Sequence, residues 1–181
     1  MASELQRRKV AGVFDAMDVD GDGFLEQEDF EALARRWTAI ADGSASVELT
    51  EIMLGWWETL LATSDRNRDN KVSLDEVLLV VDRLPGMLDA VKGTAAAMFT
   101  AIDRNGDDRI SGEEYRRLIE TWSGRQADTG AVFHRLDLDG DGYLSRAEFS
   151  AFWVEFWSGD DPTSPGTWVF GRFDPTQPVA S

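Results

Sequence analysis

The chain has 181 residues, with 34 Asp or Glu against 18 Lys or Arg and a net charge of −16. That balance excludes nucleic-acid phosphate and anionic membrane surfaces as partners and suits a protein that binds cations. With no cysteine, neither a disulfide frame nor a thiolate metal site can form. No apolar run is long enough to cross a bilayer. The first residues have neither the apolar stretch of a signal peptide nor the Met-Gly start of an N-myristoylated chain, so the expected location is the cytoplasm.

The first predicted helix starts near Ser3, an N-cap, and carries Leu5, Val10, Val13, Phe14 and Met17. It runs into an acidic twelve-residue stretch, 18–29. An exit helix follows with Phe30, Leu33, Ala34 and Trp37 at helical spacing, stopping around Ala41, Asp42 and Gly43. The next helix is the most periodic: Leu49, Ile52, Met53, Trp56, Trp57, Leu60 and Leu61 form one stripe, read as core. After a second acidic stretch, 65–76, a short helix runs from Leu74 to Leu84 and ends at Pro85-Gly86. A fifth helix covers about Leu88 to Ile102. A third acidic stretch, 103–114, leads into a sixth helix, Glu113 to Trp122. The seventh runs from about Gln126 to Leu136, and beyond the fourth stretch, 137–148, the eighth covers Arg146 to Trp157. A loop then leads to Trp168, Val169, Phe170 and Phe173, expected to dock back on the body, because such a segment would be costly to leave in water.

The four stretches repeat, flanks included. Phe14, Leu61, Phe99 and Phe133 stand four residues before them, and Phe30, Val77, Tyr115 and Phe149 directly after. Stretch 137–148 fits the calcium-loop pattern D-x-[DN]-x-[DN]-G-x5-E at every specified position. Calcium takes six to eight oxygens at about 2.3–2.6 Å, and the spacing supplies them. Asp137, Asp139 and Asp141 offer carboxylates at positions 1, 3 and 5, and Tyr143 a backbone carbonyl at position 7. Ser145 acts at position 9 through water, and Glu148 closes the site at position 12. By the same positions the first loop offers Asp18, Asp20, Asp22, Phe24, Glu26 and Asp29. The second offers Asp65, Asn67, Asp69, Lys71, Ser73 and Glu76. The third offers Asp103, Asn105, Asp107, Arg109, Ser111 and Glu114. Position 8, held by Leu25, Val72, Ile110 and Leu144, is expected to pair neighbouring loops through a short β-bridge. Each unit reads helix, loop, helix, which makes four EF-hands.

The loops are not equal. Loop one ends in Asp29, one methylene shorter than glutamate, which lowers coordination and shifts preference toward Mg²⁺, with Glu26 compensating by direct ligation. Loops two and three carry Asn70 and Asp108 in place of the position-6 glycine, residues that tolerate the left-handed conformation at some cost. Charges at positions 1, 3, 5 and 12 are −4, −3, −3 and −4 from loop one to loop four. The expected order of binding is loop four first, loops three and two next, and loop one mixed between Ca²⁺ and Mg²⁺.

With its loops, long first linker, aromatic helices and the segment Phe170-Gly171-Arg172, the chain resembles the sarcoplasmic calcium-binding proteins and their bacterial relative calerythrin. The resemblance implies a compact single globule with two halves face to face, and a role in buffering or transporting calcium. Some members of that family have a disabled second loop, whereas the ligands of loop two are intact here.

The expected fold is therefore all-α: eight helices in two packed pairs of EF-hands, 1–84 and 87–158, with 159–181 as a docking tail. The expected function is an intracellular calcium buffer, a monomer with no indicated protein target and no catalysis. A calcium sensor that opens an apolar groove is the alternative. Against it, the five methionines are scattered, whereas sensors build grooves from clustered methionine. A luciferin-binding photoprotein-like role is a remote third reading, since the lone histidine, His134, suits a surface or packing position.

Overall fold

The computed structural model describes residues 2–40, 43–124, 126 and 128–170. Helix α1 (Glu4–Met17) opens on a reciprocal capping box, in which Ser3 Oγ accepts Gln6 N at 3.1 Å and Gln6 Oε1 accepts Ser3 N at 3.0 Å. Helices α2 (Gln27–Thr38), α3 (Ser44–Ser64), α4 (Leu74–Val81), α5 (Leu88–Ile102), α6 (Gly112–Ser123), α7 (Gly130–Leu136) and α8 (Arg146–Ser158) follow. Eight α-helices among the described residues agree with the expected all-α fold. Two boundaries differ among the described residues. Helix α4 ends at Val81 and the chain tightens into a 3₁₀ turn at Leu84–Gly86, because Pro85 suits a first helical turn but not a helix interior. Helix α7 starts at Gly130, later than the expected Gln126, after Thr129. The expected stop of the second helix at Ala41 and Asp42 lies outside the described residues.

Both predicted bridges form. Leu25 and Val72 exchange backbone hydrogen bonds at 2.8 and 2.9 Å as an isolated antiparallel bridge. Strand β1 (Arg109–Ser111) pairs antiparallel with β2 (Tyr143–Ser145), with Ile110 opposite Leu144. All four position-8 side chains are at most 1 % exposed, so each bridge is anchored from below by apolar packing as well as by its hydrogen bonds.

The eight helices share one core. Helix α2 packs on α3, α5 on α8, and α1 on α4; across the pairs α3 meets α5, α2 meets α6, and α1 meets both α6 and α8. The post-loop residues Phe30, Val77, Tyr115 and Phe149 are all buried, as are Phe14, Phe99 and Phe133 before the loops; Leu61 is only half-buried. In the α3 stripe Leu49, Met53, Trp57 and Leu60 are buried, while Ile52, Trp56 and Leu61 pack at its edges. A cavity of about 100 Å³ remains where the pairs meet, lined by Phe14, Met53, Trp56, Met98, Trp122 and Trp153 among others.

Residues 165–170 pack against this core. A second 3₁₀ turn, Pro165–Trp168, lays Val169 into the interior at 0 % exposure. The Phe170 ring sits among Trp122, Trp153, Phe156 and Trp157, with centroids 4.5–5.8 Å away. Tyr115 Oη donates to the carbonyls of Trp168 and Val169 at 3.2 and 3.0 Å. Gly166 N donates to Glu155 Oε2 at 2.8 Å, and a Cβ at Gly166 would fall 2.8 Å from Phe152 O, so only glycine fits there. Phe173 lies outside the described residues.

Lys9 ties the start of the chain to the end of α8. It is 1 % exposed, and its Nζ donates to Phe156 O at 2.5 Å and Gly159 O at 2.8 Å, at a helix C-terminus where a cation is favoured. Burial lowers its pKa from 10.5 to about 8, against the pull of Asp160 and Glu155. Because the folded value lies below the unfolded one, the folded protein releases this proton first as pH rises. The Lys9 contribution to stability is therefore expected to increase between about pH 8 and pH 10.5. Urea midpoints measured across that range should rise relative to those of Lys9→Met, and parallel curves would contradict the assignment.

Candidate metal centres

Each loop is built by the helices that flank it. Position 1 is the C-cap of the entering helix: Asp18, Asp65, Asp103 and Asp137 all leave the helical region with ψ between 80 and 87°. Position 9 is the N-cap of the exit helix, held by Glu26, Ser73, Ser111 and Ser145. The position-12 carboxylate accepts the position-9 backbone N–H, with Asp29 Oδ2 on Glu26 N, Glu76 Oε2 on Ser73 N, Glu114 Oε2 on Ser111 N and Glu148 Oε2 on Ser145 N at 2.8–2.9 Å. Positions 9 and 12 thus have a capping function besides any ligand role.

In loop four the structure gathers oxygens of Asp137, Asp139 and Asp141 within 4.8 Å of one another. Asp137 Oδ2 accepts Gly142 N at 2.9 Å, and Asp141 Oδ1 accepts Tyr143 N at 2.8 Å. Asp137 Oδ1 is buried and has no hydrogen-bond partner among the described residues. A buried, unpaired carboxylate oxygen is costly. A divalent cation held by the three aspartates satisfies it, so the donor set fits calcium. Loop one gathers Asp18, Asp20 and Asp22 in the same way. There Asp29 is 4 % exposed and spans the loop, Oδ1 accepting Val19 N at 2.9 Å and Oδ2 accepting Glu26 N. Burial raises its carboxyl above the usual range, while the Glu26 and Val19 amides and the nearby Asp20 and Asp18 charges act as smaller influences.

Loops two and three keep the same backbone with a different side-chain set. Asn70 and Asp108 both stand at φ 62°, where Gly23 and Gly142 have 87 and 82°, so the left-handed turn survives the loss of glycine. Asp65 Oδ2 accepts Asn70 N at 3.1 Å and Asp103 Oδ2 accepts Asp108 N at 2.9 Å, the counterparts of the Asp137–Gly142 bond. The position-3 amides turn their Nδ2 toward position 5: Asn67 to Asp69 Oδ2 at 2.7 Å and Asn105 to Asp107 Oδ2 at 3.1 Å.

A second left-handed residue in each loop escapes the position-6 argument. Position 4 also has positive φ, at Gly21 (74°), Gly106 (69°), Gly140 (72°) and Arg68 (60°). The signal lies in the alignment of the repeats, where three of four loops place glycine at position 4 and loop two places arginine. A branch-free but Cβ-bearing residue costs about 1–2 kcal/mol in this conformation, less about 0.5–1 kcal/mol for the extra freedom of glycine when unfolded. Arg68→Gly is therefore expected to stabilise the metal-free protein by about 1 kcal/mol in urea unfolding. A destabilised variant would show that the exposed arginine has a compensating contact.

Helix–loop–helix units with acidic twelve-residue loops, joined in twos by antiparallel bridges over one core, define an EF-hand calcium-binding protein. The sequence matches the EF-hand domain pair family over residues 7–82 and 92–154. The alpha chain of the sarcoplasmic calcium-binding protein of Penaeus vannamei is 30% identical over 175 residues, covering 85% of this chain and 88% of that one. The amphioxus sarcoplasmic calcium-binding protein is similar in structure, with a TM-score of 0.72 at 18% identity over 96% of this chain and 100% of that chain. The coelenterazine-binding protein of Renilla muelleri, calcium-loaded and in its apo form, shares the fold with a TM-score of 0.65 at 21% identity, over 94% of this chain and 99% of that chain. The chain belongs to the EF-hand calcium-binding proteins of the sarcoplasmic calcium-binding protein family. Calcium is its ion. Among the described residues no helix is long and apolar enough to cross a membrane.

Proposed function

We propose that this protein is a calcium buffer of the cytoplasm, holding ions at up to four loops through the oxygens of positions 1, 3, 5, 7, 9 and 12. The bound ion supplies positive charge that offsets the repulsion among the carboxylates. The observation that carries the buffer reading is the continuity of the core. The apolar faces of the two EF-hand pairs are buried against each other and closed by Val169 and Phe170. Large apolar side chains left exposed among the described residues are Val19, Phe24, Val47 and Leu138, three of them single positions in the loops. A partner helix needs a contiguous apolar groove.

The test is a dye that fluoresces on apolar surface. With a buffer the signal of the metal-free protein falls or stays level as calcium is added; a rise would overturn this reading in favour of a sensor. A luciferin-binding role has little support. The central cavity of about 100 Å³ is well below the ~300–1,000 Å³ of drug-sized ligand sites, and His134 is exposed on α7, away from the cavity lining.

Loop four, with its complete ligand set, is the tightest site in this reading, and loop one the most tolerant of Mg²⁺. Asp29→Glu restores the missing methylene and is expected to raise the preference of loop one for Ca²⁺ over Mg²⁺ by roughly tenfold. Calorimetric titration with Ca²⁺, with and without Mg²⁺, reads this directly. Mg²⁺ competition unchanged from the parent protein would remove Asp29 as the cause.

A further inference from the structure

Loop one carries acidic side chains at positions 1, 3, 5, 9 and 12 (Asp18, Asp20, Asp22, Glu26 and Asp29), one more than loop four. The Leu25–Val72 bridge brings position 7 of loop two against this cluster, because an antiparallel register at those residues sets Lys71 beside Glu26. The Lys71 ammonium pairs with Glu26 Oε1, stands 3.4 Å from Asp22 Oδ2 and lies 5.6 Å from the Phe24 ring centroid. It therefore touches positions 5, 7 and 9 of a loop to which it does not belong. The other bridge does not repeat this. Arg109 stands opposite Ser145, lies 3.7 Å from Asp107 of its own loop and stacks 4.3 Å from the Tyr143 ring.

We propose that Lys71 is a tethered cation that competes with the divalent ion at loop one, holding Glu26 and Asp22 until an ion displaces it. This rests on the reading that the loops bind calcium. Two carboxylates that complete loop one are engaged by a charge covalently attached to loop two. An ion entering loop one must break the Lys71–Glu26 pair and leave the ammonium to water, which lowers the apparent affinity of that loop. Lys71 also offers its own carbonyl at position 7 of loop two, so occupation of loop two constrains the backbone from which the competing side chain projects. Affinity at loop one and occupancy of loop two are thereby coupled through one residue, and by linkage the coupling is reciprocal.

The experiment is a calcium titration of full-length protein followed by NMR, using the amides of Gly21 and Gly23 for loop one and Gly142 for loop four. Three proteins are compared: the parent, Lys71→Gln, and Lys92→Gln, which removes an equal charge from the exposed side of α5. In Lys71→Gln the Gly21 and Gly23 midpoints should move to roughly fivefold lower calcium, the scale of one exposed ion pair. Gly142 should stay in place, and Lys92→Gln should move neither. Midpoints unchanged in Lys71→Gln, or shifted alike at both loops or by both substitutions, would overturn the proposal. If Gly21 and Gly23 of the parent do not respond to calcium while Gly142 does, the calcium reading of loop one is what fails. Thermal unfolding of the metal-free proteins gives a second readout: Lys71→Gln should have the lower Tm, since it leaves Glu26 and Asp22 without their cation, and equal values for the two variants would count against a stand-in cation.

Discussion

Glu148→Gln is expected to abolish tight calcium binding at loop four while leaving the metal-free protein almost unchanged in stability. The two outcomes separate because capping and the proposed ligand role make different demands on the side chain. Its capping role needs only an acceptor for Ser145 N, which Glu148 Oε2 now provides at 2.9 Å, and the glutamine carbonyl serves equally. Its ligand role needs two carboxylate oxygens, and glutamine has one neutral oxygen. A site filled at a thousandfold excess over its dissociation constant stabilises the fold by about 4 kcal/mol. For a chain of this length, losing that contribution lowers Tm in calcium by roughly 8 to 16 °C. Scanning both proteins with and without calcium checks the prediction, and an undiminished calcium-dependent rise in Tm would mean that loop four is not the principal site. The unpaired, buried Asp137 Oδ1 sharpens the expectation, since without an ion that oxygen has no partner among the described residues.

The largest effect away from the loops is expected from Phe170→Ala. Its ring lies 4.5 Å from that of Phe156 and 4.6 Å from that of Trp153, with Trp122 and Trp157 at 5.3 and 5.8 Å. Truncating a buried phenylalanine costs about 3–5 kcal/mol, and because Phe170 keeps one edge in water the lower end applies. Urea unfolding should report a loss of about 3 kcal/mol, roughly 6 to 12 °C in Tm. A change below about 0.5 kcal/mol, the size of an ordinary surface substitution, would show that the tail rests on the body without holding it. The contacts argue otherwise, since Tyr115 of α6, Arg135 of α7 and Glu155 of α8 each engage the same short segment.

The loops, their flanking apolar residues and both bridge pairings were legible because they are set by covalent spacing. Position 1 falls at the C-cap of the entering helix and position 9 at the N-cap of the exit helix through backbone geometry that the four repeats share. Leu25 with Val72 and Ile110 with Leu144 follow from the same count. The left-handed conformation of Asn70 and Asp108 was also legible, because it rests on the local sterics of single residues, and Arg68 could have been found by the same comparison of repeats. The start of α7 at Gly130 was not: the stretch before it is polar and glycine-bearing, and carries no apolar periodicity to mark a first turn.

What only the tertiary structure decided are contacts between elements remote in sequence. The docking of Phe170 depends on how α6 and α8 cross, so that Trp122 and Trp153 face one ring. The burial of Lys9 depends on the end of α8 arriving beside α1. The approach of Lys71 to Glu26 requires the bridge register and side-chain direction together. Composition and spacing determine which atoms could bind calcium; the packing of eight helices decides which charges surround them, because electrostatic contact depends on distance through space and not on separation along the chain.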